Sequence, residues 1–539
     1  MDNRLYQDII ADLPKFNPEI AKGYSVKDLD DAEDYIERIF QCASADFPSV
    51  FKFVGLRQLT PEEEQREIER TSERIPERDI SQTDVYMCEA IFDFDGVKVT
   101  RNINLPFMRP GEGGTLFLRG SRQTIHPILA DLVFSVSDLG LFTMLLRAKF
   151  TLTRTNYGIL KDGESITHFV VAGNIYQSKE SVADSRKANK VESTIGHYLF
   201  CKYGVTETFK RYYDTDVIIE ENRPGLSEIY PVEDYVMFTT MGLPPLEKRR
   251  REQSDWTPTN LVLIVPRDKA EVHPGVSLLA THFFYVIDQF PSRFTLEHID
   301  QDGTWRIAMG YILHRAKENE GKLLNEIDKH LNSLDRYVDH ETKRHLEMEG
   351  IHVDNLYDLF VHVLDTITDR IVNDNSGRMW GKHLLVKRYA LSGITEAIFN
   401  FTWQLEKERD SLTFRRLRWT LSRMITPDAF LSIQSKHGEL GSVQYPGDCM
   451  IFKHTCVSIR QMNAVTGKGK TKSFKPNELA YQLHSSIAEA GSACNFAKGS
   501  PDGRSRLNMF IHIDKNGRIV RNPDLVDILD EAQKEISKY

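Results

Sequence analysis

The spacing of apolar residues changes character at Asp84, and this change constrains the fold more than any other feature of the chain. Before it, DLDDAEDYIERIF places apolar residues at helical spacing, and TPEEEQREIERTSERIPERD opens on a threonine followed by an acidic first turn, the pattern of a capped helix. After it, VYMCEAIFDF and VKVTRNINLPF alternate around Asp95-Gly96, a pair suited to a two-residue hairpin turn. A chain that opens helical and turns to antiparallel strands falls in the α+β class. At 539 residues it is too long for one core, so a multidomain α+β architecture is expected.

Further strand-like runs follow at GTLFLRG, LLRAKFTLTR and THFVVAGNIY, with a turn at Lys161-Asp162-Gly163 between the last two. Residues 191–213 read as helix, and the Pro-, Gly- and charge-rich VMFTTMGLPPLEKRRREQSDWTPTN reads as an exposed loop. The strand-like LVLIVP leads into helices between 278 and 372, where EGKLLNEIDKHLNSLDRYV has the clearest helical period. Residues 377–423 are helical and basic, and the last hundred mix strands with Gly-rich turns without an internal repeat. Five segments result: a helical 1–80, a mixed 81–230, a loop-and-helix 231–375, a basic helical 376–450 and a β-like 451–539.

Composition excludes several classes. Apolar residues at 40% and charged residues at 27% suit a folded globular chain. No apolar run approaches the roughly 18 residues of a membrane-spanning helix, and the opening MDNRLYQDIIADL is unlike a signal peptide. Cys42, Cys88, Cys201, Cys449, Cys456 and Cys494 form no CxxC pair, which argues against a zinc knuckle or disulfide framework and for reduced thiols. The net charge of −9 is unevenly placed: residues 1–80 hold 11 Lys+Arg against 19 Asp+Glu, residues 450–521 hold 12 against 4. A basic segment in an acidic protein can face a polyanion locally, although a solvated basic face accounts for the charge alone equally well.

Two motifs suggest metal chemistry and do not support it. Asp93-Phe94-Asp95-Gly96 resembles the DFDGD magnesium signature of RNA polymerase β′ subunits, but Val97 replaces the third aspartate and the pattern fits a hairpin. His340-Glu341-Thr342-Lys343-Arg344-His345 has one residue too many for the zinc-protease HExxH, whose ligands must share a helix face, and reads as a polar helix surface. No GxxxxGK[ST], GxGxxG or GxSxG element occurs, so the chain offers no self-contained active site.

The informative stretch is Leu105-Pro106-Phe107-Met108-Arg109 through Gly113-Gly114-Thr115-Leu116-Phe117-Leu118-Arg119-Gly120-Ser121-Arg122-Gln123-Thr124-Ile125-His126-Pro127-Ile128-Leu129. The glycine pair permits a tight turn and Leu116/Leu118 supply a buried face. It resembles the protrusion domain of multisubunit DNA-dependent RNA polymerase β subunits, where such a pattern is expected to join two strands to a helix. Other β-like pieces follow in order: LLRAKFTLTRTNYGILKDGESITHFVV, HYLFCKYGVTETFKRYY, WGKHLLVKRYALSG, the fork-loop-like GDCMIFKHTCVSIRQMNAVTGKGKTKSF, LHSS with CNFAKGSPDG, and LNMFIHIDKNGRIVRNP. These matches span about 80–523, short of a whole β subunit, and look like the split, drifted subunits of giant phages of the phiKZ type, in particular the non-virion polymerase.

The resemblance implies a protrusion-like 81–230, a lobe-like 231–375, a return to the protrusion over 376–450 and a fork-loop region from 451. It implies an N-terminal β half that walls the DNA/RNA cleft in a nucleotidyltransferase, with Mg2+ held by a β′-type partner and no catalytic or metal residue in this chain. Implied partners are a C-terminal β-half subunit, β′-type subunits, DNA template and RNA product, in the cytoplasm of an infected bacterial cell or in the virion, with no membrane. Candidate nucleic-acid-binding residues are Lys382, Lys387, Arg388, Lys453, Arg460, Lys468, Lys470, Lys472, His484 and Arg504; the 466–470 Gly/Lys run suits a flexible cationic loop. Arg415, Arg416, Arg418 and Arg423 would line the hybrid or join neighbouring subunits, and Lys248-Arg249-Arg250-Arg251 reads as a soluble loop tip. A noncatalytic virion or scaffold protein with a degenerate β-like fold, and a free-standing nucleic-acid-binding protein, stay open as alternatives.

Overall fold

A computed structural model of the chain describes residues 19, 23–74, 83–109, 114–118, 120–125, 127–137, 140–147, 149–173, 175, 193–242, 258–314, 319–373, 378–409, 412–427, 429, 440–442, 456–459, 485–491, 504–508, 510–522, 527, 531 and 534–538. They mix helices with several sheets and divide into two units, an α+β organisation. One unit comprises the described residues of Met1–Leu132, Gly377–Met462 and Gln482–Tyr539; the other comprises those of Val133–Ser376. The segment expected as one domain over 81–230 therefore contributes to both. Among the described residues no helix is long and apolar enough to cross a membrane.

The discontinuous unit is built on an antiparallel sheet in the order Phe51–Gln58, Val85–Phe94, Val97–Pro106. Asp95 (φ 49°) and Gly96 (φ 82°) make the hairpin turn, and Asp93 Oδ2 accepts the Gly96 N–H at 3.3 Å, so both motif aspartates serve the turn. The helix Ala32–Ser44 buries Tyr35, Ile36, Ile39, Phe40 and Ala43. Its Phe40 stacks on Phe53 with centroids 4.9 Å apart and meets Phe92 edge-on at 5.6 Å. Phe401 of the helix Ser392–Lys407 closes on Phe47 and Phe51, each at 6.0 Å. The strand Phe51–Gln58 corrects the expectation that 1–80 is helical throughout. Its eight residues carry a bulge near Gly55, and its partner begins only at Val85, so no adjacent turn signal announces it.

A second correction concerns residues 105–129, where a helix was expected after two strands. Thr115–Leu118 and Ser121–Ile125 instead form a hairpin around Gly120 (φ 76°), followed by the strand Ile128–Ala130. Two causes act together. Pro127 lacks the N–H that a helix interior needs and so disfavours a helix running through it. Ser121–Ile125 also gains a second partner in Leu440–Ser442. Leu116 and Leu118 are buried as expected. Ile128–Ala130 then lies between His383–Leu385, antiparallel, and Cys456–Ile459, parallel, with Arg504–Arg506 beyond.

The continuous unit holds a seven-stranded sheet. Ile218–Glu221, Leu261–Pro266, Tyr235–Thr240, Lys149–Lys161, Gly140–Met144 and Phe134–Ser137 follow in order, and Glu164–Gly173 pairs with Lys149–Lys161 around the turn at Asp162 (φ 50°) and Gly163 (φ 82°). The helix Pro274–Ile287 is buried nearly all round, which fits its continuous apolar sequence. The helical 191–213 region splits into Ile195–Tyr203 and Val205–Tyr213 at Gly204, where Asp300 Oδ1 accepts the N–H groups of Val205 and Thr206 at 2.9 Å each.

A third correction falls on the helix His340–Met348, expected as a polar surface. Glu341, Thr342 and His345 are buried. Asp339 caps the helix by accepting the Thr342 N–H at 2.8 Å, and Glu341 receives the Arg344 guanidinium at 2.5 Å with His345 Nε2 at 3.5 Å. His345 shares a face with Glu341, four residues back, while His340 stays exposed on another.

Candidate nucleic-acid interface

Three of the candidate cations sit just after Gly381 and are engaged within the discontinuous unit. Lys382 is 4% exposed, and its ammonium lies 3.2 Å from both carboxylate oxygens of Asp131. Lys387 pairs with Asp31, and its Nζ stands 5.7 Å from the Tyr35 ring centroid. The N–H groups of Val386 and Lys387 donate to Asp28 Oδ2 at 2.9 and 2.7 Å; burial raises the pKa of that carboxyl, and the Lys387 charge opposes the rise. Arg388 donates to the Leu132 carbonyl at 2.9 Å. Arg504 opens the strand Arg504–Arg506 opposite Ser458. Lys453, Arg460, Lys468, Lys470, Lys472, His484 and the Lys248–Arg251 run lie outside the described residues.

The helix Phe414–Met424 presents its cations differently. Its sequence, FRRLRWTLSRM, holds four arginines and no acid. Thr413 caps it by accepting the Arg416 N–H at 3.3 Å. Leu417, Thr420 and Leu421 are buried, and at about 100° per residue Arg415 and Trp419 fall opposite Leu417. Arg101 fixes the far end by donating to the carbonyls of Ser422 (3.1 Å) and Ile425 (2.5 Å), groups a helix C-terminus leaves without partners. Phe414 meets Phe94 of the hairpin at 5.9 Å.

Cations lie against aromatic rings on this helix and on the one before it. The Arg416 and Arg423 guanidinium carbons lie 4.7 and 5.0 Å from the Trp419 centroid, Arg418 lies 5.9 Å from Phe414, and Lys407 Nζ stands 3.2 Å over Trp403 of the preceding helix. Arg416 also forms a two-pronged pair with Glu408 at 2.8 and 3.0 Å, which lowers the Glu408 pKa and links the two helices. Arg415, Arg418 and Arg423 have no acidic partner among the described residues. Trp403 is 57% exposed and Trp419 48%. The sequence marks the arginines but not the exposed indoles; the signal that would have found them is the interleaving in Phe414-Arg415-Arg416-Leu417-Arg418-Trp419. Among the described residues, no cluster of three or more His, Cys, Asp or Glu is placed to hold a metal ion.

Compared with known families, residues 2–534 match the model described as a non-virion RNA polymerase subunit. The chain belongs to the non-virion RNA polymerase subunit family. No curated protein matches it. As a non-virion RNA polymerase subunit it is a member of a polymerase complex and has other polymerase subunits as partners. The arginine helix is an exposed, cationic, ring-bearing surface on a non-virion RNA polymerase subunit.

Proposed function

We propose that this polymerase subunit is the N-terminal half of a β-type subunit and forms one wall of the cleft that holds DNA and RNA. The observation that carries the reading is the collinear order of β-like segments from about residue 80 to 523 in a chain matched over 2–534 by a polymerase-subunit family. Supporting it, His383–Leu385 pairs back onto Ile128–Ala130, as a return to the protrusion requires. The hairpin and third strand at 115–130 remove the expected helix from that match, so the reading rests on segment order and on this return.

In this reading the chain supplies shape and positive potential, while β′-type partners hold the Mg2+ at which the RNA 3′-hydroxyl attacks the nucleotide α-phosphate. A second β-like chain is among its partners, and the complex works in the cytoplasm of the infected cell. Affinity purification of the tagged full chain from its source cells tests the proposal. Stoichiometric recovery of a chain with an intact DFDGD site and of a second β-like chain, with template-dependent RNA synthesis in the eluate, is the expected result. Recovery of the chain alone, or in an assembly without synthesis, favours a scaffold protein and removes the proposal.

A further inference from the structure

We infer that the exposed rings and cations of two helices tied by Glu408 and Arg416, namely Trp403, Lys407, Arg415, Arg418, Trp419 and Arg423, form a docking surface for single-stranded nucleic acid. The inference deepens the proposed function and rests on its claim that this subunit meets nucleic acid, but not on the β-half assignment. Charge complementarity is the first argument. The helix Phe414–Met424 carries four positive charges and no negative one in a chain of net charge −9, and Arg415, Arg418 and Arg423 find no acidic partner among the described residues. Such a surface attracts an anionic partner.

The second argument is the choice of rings. Trp403 and Trp419 stand about half exposed, although nothing in a surface helix requires an indole there. Their cations lie against them, with Lys407 3.2 Å over Trp403 and Arg416 and Arg423 within 5.0 Å of Trp419. This holds long side chains extended before any ligand arrives and so reduces the ordering cost of binding. Flat π-surfaces beside guanidinium groups suit unpaired bases on a phosphate backbone, whose rings stack without regard to sequence while the phosphates meet the cations. A duplex offers the phosphates but keeps its base faces covered. An acidic protein segment would use the arginines and leave the indoles without a comparable role.

The support beneath the face is rigid enough for this purpose. Arg101 anchors the C-terminal carbonyls of the arginine helix, Glu408 ties Arg416 to the neighbouring helix, and Leu417 and Leu421 are buried. Exposed substitutions on the outer face therefore leave the fold intact.

Anisotropy of labelled oligonucleotides, titrated with the full chain over a salt series, tests the inference with single-stranded DNA, single-stranded RNA and duplex DNA. Trp403→Ala with Trp419→Ala should weaken single-strand binding roughly tenfold and duplex binding little, and Trp419→Phe should restore part of the loss. Arg415→Gln with Arg418→Gln should flatten the salt dependence by about 0.7 in log–log slope for each phosphate contact removed. A preference between the DNA and RNA strands assigns the strand within the same chemistry. Unchanged affinity in both sets of variants, or a wild-type chain that does not bind single strands at low salt, overturns the inference. So does an equal loss on duplex and single strand confined to the arginine variants, which assigns duplex phosphates. Loss of a co-purifying subunit with unchanged oligonucleotide binding assigns a protein partner instead. Failure of the β-half reading would show separately, as missing partners in the purification.

Discussion

Asp288 is the side chain whose surroundings translate most directly into a measurable pH effect. It is buried, and its Oδ2 accepts the Thr240 hydroxyl at 2.7 Å and the Tyr157 hydroxyl. Burial pushes its pKa up to about 6, with the Thr240 and Tyr157 hydrogen bonds acting the other way. A folded pKa above the unfolded one favours the protonated form. Its contribution is therefore complete below the ordinary carboxylate range and lost as pH rises through about 6. Relative to Asp288→Asn, the wild-type unfolding free energy should fall by about 2 kcal/mol between roughly pH 4 and pH 7, measured by urea unfolding across pH. Parallel profiles for the two proteins would contradict this. Lys382→Ala should cost about 2–4 kcal/mol in the same assay by leaving the Asp131 carboxylate without its ammonium, whereas a change under about 0.5 kcal/mol would show an idle pair. Lys382 was legible in the sequence as a cation but not as a buried one, because its partner lies 251 residues away. Glu341 looked like surface for another reason: Arg344 and His345, which it meets, are local, and a charged residue in a polar helix does not announce its own burial.

Secondary elements were legible where the chemistry that makes them is local. The Asp95-Gly96 and Asp162-Gly163 turns formed because aspartate and glycine tolerate the positive φ that a tight hairpin demands. The helix Pro61–Arg74 begins where the capping pattern placed it: Thr60 Oγ1 accepts the Glu63 N–H at 3.3 Å and Glu63 returns the bond to the Thr60 N–H at 3.0 Å. Thr60→Ala should cost about 1 kcal/mol, visible as a lower urea midpoint at unchanged m-value. The strand Phe51–Gln58 was missed because its partner, Val85–Phe94, is distant in sequence, whereas Ser121–Ile125 pairs with the adjacent Thr115–Leu118 and was missed because the family pattern implied a helix there. Gly204 shows the limit in reverse. A continuous helical pattern hid a break at φ 81°, ψ 175°, where an added Cβ would come 3.1 Å from the Asp300 carbonyl oxygen. Gly204→Ala should destabilise by about 2–4 kcal/mol, since it adds a forbidden backbone region to a close approach. A thermal midpoint equal to the wild type would refute that account.

For the whole molecule, the division into one continuous and one discontinuous unit sets what can be separated. Residues 133–376 carry their own sheet and buried helices, so a fragment of that span should give a cooperative urea transition, and a broad non-cooperative one would show dependence on the rest. The sequence conveyed the α+β class and most helices of this span, but not the path by which 378–459 rejoins the opening residues, since no local pattern encodes a strand pairing across so long a loop. That path has a consequence for synthesis. Ile128–Ala130 leaves the ribosome long before His383–Leu385 exists to pair with it, and at roughly 5–20 residues per second the wait is on the order of ten to fifty seconds. Throughout that interval the nascent opening segment carries unpaired strand edges and apolar side chains, a natural client for a holding chaperone, and the core of that unit closes only after the inserted unit has been made.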